Sequence, residues 1–138
     1  MTHEIKTIAV GFDGSLPAEA AVRWAFTLAR PLEAEVVLVH AVGLLGHLEG
    51  EDVTSEFHDA VARLAHECNF DIGHVSWQIE DGNSTSVLMR ASGQPVHADL
   101  IVVGSRGKSA HAGLMLGSTS LQLAERSTIP VMIVPYDR

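Results

Sequence analysis

Five short runs rich in β-branched and aliphatic residues, at 5–12, 35–42, 72–80, 98–103 and 130–135, alternate with four segments of helical periodicity. The first helical segment carries Ala18, Ala21, Val22, Ala25, Phe26 and Ala29 at spacings of three and four, with Pro17 in its opening turn and Pro31 predicted to stop it after Arg30. The second places Val53, Phe57, Ala60, Val61, Leu64 and Cys68 on one face and Glu56, Asp59, Arg63 and Glu67 on the other. The third is read from Ser84 to about Gln94 and the fourth from Ser118 to Arg126. Strands separated by helices of this length imply parallel pairing with right-handed crossovers and helices on both faces. The predicted fold class is therefore α/β, a doubly wound five-stranded parallel sheet of order 3-2-1-4-5. Pro130 and Pro135 bound the last run, and proline cannot donate to a central ladder, so that strand belongs at an edge.

With 138 residues the chain is read as one domain, 1–138, able to bury about two-thirds of its unfolded surface. Its 9 Lys and Arg stand against 17 Asp and Glu, a formal charge of −8, and no basic stripe is present to neutralise a nucleic-acid backbone. No apolar run approaches the roughly 20 residues that cross a bilayer, and no signal segment opens the sequence, so neither nucleic acid nor membrane is an expected partner and a cytoplasmic location is expected. Cys68 is the single cysteine; its place in a helical stripe reads as a buried structural thiol.

The chemistry concentrates after the fourth strand. Gly104-Ser105-Arg106-Gly107, nine further residues and Gly117-Ser118-Thr119 join an aliphatic strand to a helix. Glycines at 104, 107, 113 and 117 permit positive φ and close approach, so backbone N–H groups can converge on an anion. Ser118-Thr119-Ser120 offers helix N-caps, the helix start favours negative charge, and Arg106 and Lys108 add charged donors. A capped, flexible surface loop is the competing reading. No G-x4-G-K-[ST] string occurs, and Gly11-Phe12-Asp13-Gly14 lacks the third glycine of a dinucleotide fingerprint. In the predicted strand order, Asp13 and Gly104 meet at the switch point between strands 1 and 4, where ligands bind in open α/β sheets.

Other constellations are less specific. Of eight histidines, His58 and His66 could share a helical face, but no spacing typical of a metal site appears, and His3, His47, His74, His97 and His111 fall at termini, loops or element ends. His40, beside the predicted crevice, is assigned to packing against a ligand's base in preference to a backbone hydrogen bond. Trp24 and Trp77 are read as covers for core edges. Asp13 is the one acidic residue that topology brings to the crevice, with no second carboxylate or histidine tied to it, which favours a binding module over an enzyme.

The residues 6–15, 98–107 and 130–135 together resemble the universal stress protein family, whose nucleotide-binding members carry G-x2-G-x9-G-[ST] after the fourth strand; Gly104, Gly107, Gly117 and Ser118 fill it. The resemblance implies a Rossmann-like fold that binds ATP with Mg2+ in the stress response. It places Gly11 and Asp13 near the adenosine, with Asp13 also toward the metal, and gives Ala41 backbone contacts to adenine. Val103 would border the base pocket, and Gly104, Arg106, Gly107, Gly117, Ser118 and Thr119 would surround ribose and phosphates. It also implies a homodimer through strand 130–135, with ATP, AMP and cyclic AMP left open as ligands. A weak ATPase or phosphotransferase using the same pocket, and a structural dimer without nucleotide, are the alternatives. Asn83-Ser84 departs from the family's usual proline at this place.

Overall fold

The structure, a computed structural model, describes residues 4–43, 54–106 and 117–136. Its elements run β1 (Thr7–Gly11), α1 (Leu16–Leu32), β2 (Glu35–Val42), α2 (Thr54–Glu67), a 3-10 turn (Ile72–His74), β3 (Val75–Asp81), α3 (Ser84–Arg90), β4 (Leu100–Gly104), α4 (Ser118–Arg126) and β5 (Val131–Val134). The sheet order is β3-β2-β1-β4-β5, every pairing parallel, as the alternation predicted. β5 takes an edge.

Side-chain alternation along the strands divides the core in two. Ile8, Val10, Leu38, Leu100, Val102 and Val134 face α1 and α2, where Ala21, Val22, Ala25, Phe26, Phe57, Val61 and Leu64 cover them. Ala9, Val37, Val39, Ile101 and Val103 face the opposite way, under Val87 and Leu88 of α3 and Leu123 of α4. Asp99 fastens the entry to the sheet: its Oδ2 accepts from the backbone N–H groups of Lys6 and Thr7 at 2.9 and 3.0 Å. Sequence periodicity gave no hint of this staple, because it joins residues more than ninety positions apart.

Three boundaries move. Pro31 does not stop α1, which continues to Leu32 and closes at Glu33 in the left-handed conformation, φ 55°. The Glu33 N–H reaches Arg30 O and the Ala34 N–H reaches Ala29 O, a terminal pair that carries the helix past the donor Pro31 lacks. α3 ends at Arg90, where Ala91, Ser92 and Gly93 bond back three residues in tightening turns. The third strand begins at Val75 because Asp71 caps a 3-10 turn through the Gly73 N–H. Val53, predicted on the α2 stripe, lies outside the described residues.

The tryptophans differ. Trp77 packs edge-on to Phe12 at 6.1 Å and beside Phe57 and His58, a cover on the core edge. Trp24 is 56% exposed and covers little, because its angular position on α1 turns away from the buried alanines. Cys68 is only partly buried; partial desolvation, the largest influence, pushes its thiol up from the ordinary value.

Candidate functional site

β1 and β4 are adjacent, and the chain leaves them toward helices on opposite faces, α1 and α4. At the α1 end, Gly14 adopts φ +83°, and Ser15 caps the helix by accepting from the Ala18 N–H at 3.2 Å. Asp13 Oδ1 accepts from both the Ser15 N–H, at 3.0 Å, and the Ser15 hydroxyl, at 2.5 Å. Ordering the start of α1 is therefore one task of the Asp13 carboxylate.

Gly104 closes β4 against the first turn of α1. A Cβ there would sit 2.8 Å from the Pro17 carbonyl oxygen, so close approach requires glycine; no positive φ is involved. Gly117 likewise has φ −73°, so of the two freedoms a glycine offers, positive φ and close approach, this position uses only the second. Its smallness serves contact instead: its N–H donates to Ser105 O at 2.5 Å, and a Cβ would lie 3.3 Å from that oxygen and 3.6 Å from Arg106 Cα. The loop end and the start of α4 are thus pressed together.

Gly117 is itself the N-cap of α4, and among the described residues no side chain caps the helix. The serines and threonine expected to do so fall inside it: Ser118 and Thr119 are its first two residues, and the Ser120 hydroxyl donates to Gly117 O at 2.9 Å. A hydroxyl oriented toward carbonyls leaves the first-turn amides without a side-chain acceptor. Gly11 and Val103 sit behind this region as packing; a Cβ on Gly11 would stand 3.0 Å from Leu88 Cδ1 and 3.2 Å from Val103 Cγ1. Gly107, with Lys108 and Gly113, lies outside the described residues.

A cleft of about 530 Å3 opens between α3 and α4 beyond the carboxyl ends of the strands, within the size range of small-molecule sites. Ala41, Ser118 and Thr119, all predicted, line it together with Gly82, Asn83, Ser84, Thr85, Ser86, Gln122 and Arg126, which sequence reasoning did not assign. One sequence signal was available for the latter. Ser84-Thr85-Ser86 repeats the tripeptide Ser118-Thr119-Ser120, and each copy opens a helix facing this cleft. Among the described residues no carboxylate lines the cleft, and the lining is rich in hydroxyls and carboxamides and includes the Arg126 guanidinium.

His40 does not belong to it. Residues 37, 39 and 41 of β2 point toward α3 and α4, so His40 points to the other face by strand alternation. There its Nδ1 lies 2.9 Å from Phe12 O and its ring meets Phe57 edge-on at 4.9 Å. The backbone bond replaces the predicted packing against a base. Among the described residues, no group of three His, Cys, Asp or Glu side chains is placed to hold a metal ion, and no helix is long and apolar enough to cross a membrane.

Comparison with known proteins agrees with this architecture. Residues 4–135 match the model of the universal stress protein family. A universal stress protein from Mycolicibacterium smegmatis is 29% identical over 134 residues, covering 92% of this chain but 45% of its own length. A putative universal stress protein from Staphylococcus aureus is 24% identical, with 94% of this chain and 83% of the relative covered. The chain therefore spans less than half of the Mycolicibacterium protein. Among solved structures, a universal stress protein in complex with cAMP superposes with a TM-score of 0.76 at 26% identity, covering 96% of this chain and 98% of that one. An Arabidopsis thaliana family member with AMP bound shares the fold at TM-score 0.64 and 17% identity, covering 96% and 92%. The chain belongs to the universal stress protein family.

Proposed function

We propose that this protein binds ATP with Mg2+ at the β4–α4 junction and acts as a nucleotide-dependent regulatory module in the stress response. The observation that carries the reading is the start of α4: among the described residues it is a helix N-terminus with no side-chain cap, next to Arg106 and open to a hydroxyl-lined cleft that no carboxylate lines. Gly104, Arg106, Gly107, Gly117, Ser118 and Thr119 surround ribose and phosphates in this reading. Ala41 meets the adenine, and Gly11 and Val103 shape the wall behind it. Solved relatives with cAMP and AMP support an adenine nucleotide as the ligand class.

Mg2+ fits as an ion carried by the phosphates, since it characteristically takes one or two protein carboxylates plus phosphate oxygens. Asp13, which also orders Ser15, is the carboxylate of that set in this reading. A second copy pairs along β5, whose outer edge pairs with no other strand among the described residues and whose Val131, Met132 and Ile133 are only half-buried. Calorimetric titration of nucleotide-free protein with ATP and Mg2+, then with AMP and cAMP, tests the proposal. Saturation near one ATP per chain is expected; no binding of any of the three overturns it.

A further inference from the structure

Two carboxamides line the cleft, Asn83 at the start of α3 and Gln122 on α4, and each has its oxygen committed to the protein. Asn83 Oδ1 accepts from the Ser86 N–H at 2.9 Å as the α3 cap. A backbone N–H can only donate, so this bond fixes which end of the amide is oxygen. Across the cleft, Gln122 Oε1 accepts from the Thr85 hydroxyl at 2.6 Å; Thr85 is 5% exposed, so its hydroxyl is held in place. Among the described residues neither NH2 group has an acceptor, and both belong to side chains at the cleft surface.

A free carboxamide recognises a donor and an acceptor together, as when Asn or Gln grips the amino group and ring nitrogen of adenine. With its oxygen bonded inside the protein, the NH2 group is the end left to meet a ligand. We propose that Asn83 and Gln122 are specificity residues of this cleft, a pair of amides oriented by their bonded oxygens so that their NH2 donors read an acceptor edge of the ligand. In the nucleotide reading, on which this inference rests, that edge is the ring nitrogens of the purine, and the exocyclic amino group is left to the backbone near Ala41. Among the described residues no carboxylate lines the cleft to compete for these donors.

Isosteric substitutions test the pair without disturbing the fold. Asn83→Asp keeps the oxygen that caps α3, and Gln122→Glu keeps the acceptor for Thr85; each deletes only the NH2 donors and adds a charge. Ser84→Asp, which puts a carboxylate into the same cleft while leaving both amides intact, measures the effect of charge alone. With unchanged thermal midpoints, ATP affinity should fall in Asn83→Asp and Gln122→Glu by roughly five- to tenfold more than in Ser84→Asp. Losses equal to or smaller than that of Ser84→Asp would overturn the amide pair and leave the nucleotide reading intact. A wild-type chain that binds no nucleotide would overturn the reading itself.

Discussion

The starts of α1 and α4 flank the same junction between β1 and β4, yet they are finished in opposite ways. At α1 the chain spends its own side chains: Ser15 caps the helix and Asp13 holds Ser15 by both N–H and hydroxyl. At α4 the cap is a glycine with nothing to offer, and the nearby Ser120 hydroxyl turns back to carbonyls. Both helices have the same orphan amides and the same favourable end of the dipole. What separates a closed helix start from an anion site is therefore whether a side-chain oxygen already occupies the amides.

The largest expected effect comes from breaking the closed start. Gly14 has φ +83°, and a Cβ there would lie 2.6 Å from Phe57 Cε1. Phe57 cannot retreat easily, being wedged against Phe12, His40 and Trp77. Gly14→Ala should cost about 2–3 kcal/mol of stability, read as a lower urea midpoint at constant m-value. Equal midpoints would mean that the turn into α1 is loose, and the contrast with α4 would lose its basis.

Converting one start into the other is the sharper test. Gly117→Asp gives α4 a side-chain oxygen in a backbone conformation, φ −73° and ψ 162°, that any residue adopts. ATP affinity should fall by about tenfold or more as that oxygen takes the amides meant for phosphate, while thermal stability is held or raised. Retained affinity would remove the α4 start from the site. The reverse change, Ser15→Ala, should cost about 1 kcal/mol in urea unfolding and leave ATP affinity within about twofold. A tenfold loss there would show that both helix starts serve the ligand.

This contrast also shows what could be read from the sequence. Strand order followed from the alternation of aliphatic runs and helical stripes, since parallel pairing with right-handed crossovers leaves few arrangements. The Gly104 and Gly117 positions were legible as a loop meeting a helix, but the reason for each glycine was not. The Pro17 carbonyl oxygen, not positive φ, excludes a side chain at Gly104, whereas at Gly117 the Ser105 carbonyl oxygen needs to yield only a few tenths of an ångström, and such neighbours come from tertiary structure. His40 was misplaced by one step of strand parity, which sent it to Phe12 and Phe57 instead of the cleft. Asn83, Thr85 and Gln122 escaped notice because their importance lies in which polar atoms are already bonded, and a sequence lists side chains without saying which of their atoms are spoken for.

The smallest effect belongs at the far end of the sheet. His74, before β3, donates from Nδ1 to Glu35 Oε1 at the start of β2 across 2.9 Å, and the hydrogen bond to this carboxylate, with its charge, raises the imidazole above its ordinary value. A raised folded-state pKa means that the pair's stabilisation is complete below the unfolded histidine value, about 6.5, and is lost as pH rises through the folded value. Wild-type stability should therefore decline slightly from pH 6 to pH 8 relative to Glu35→Gln, because both groups are exposed and solvent screens them. ATP binding should show the same pH profile in both proteins, since the nucleotide's own phosphate titrates in this range and no histidine lines the cleft among the described residues. Diverging binding profiles would mean that the amino-terminal edge of the sheet communicates with the helix starts at its other end, and the difference between α1 and α4 could no longer be treated as local.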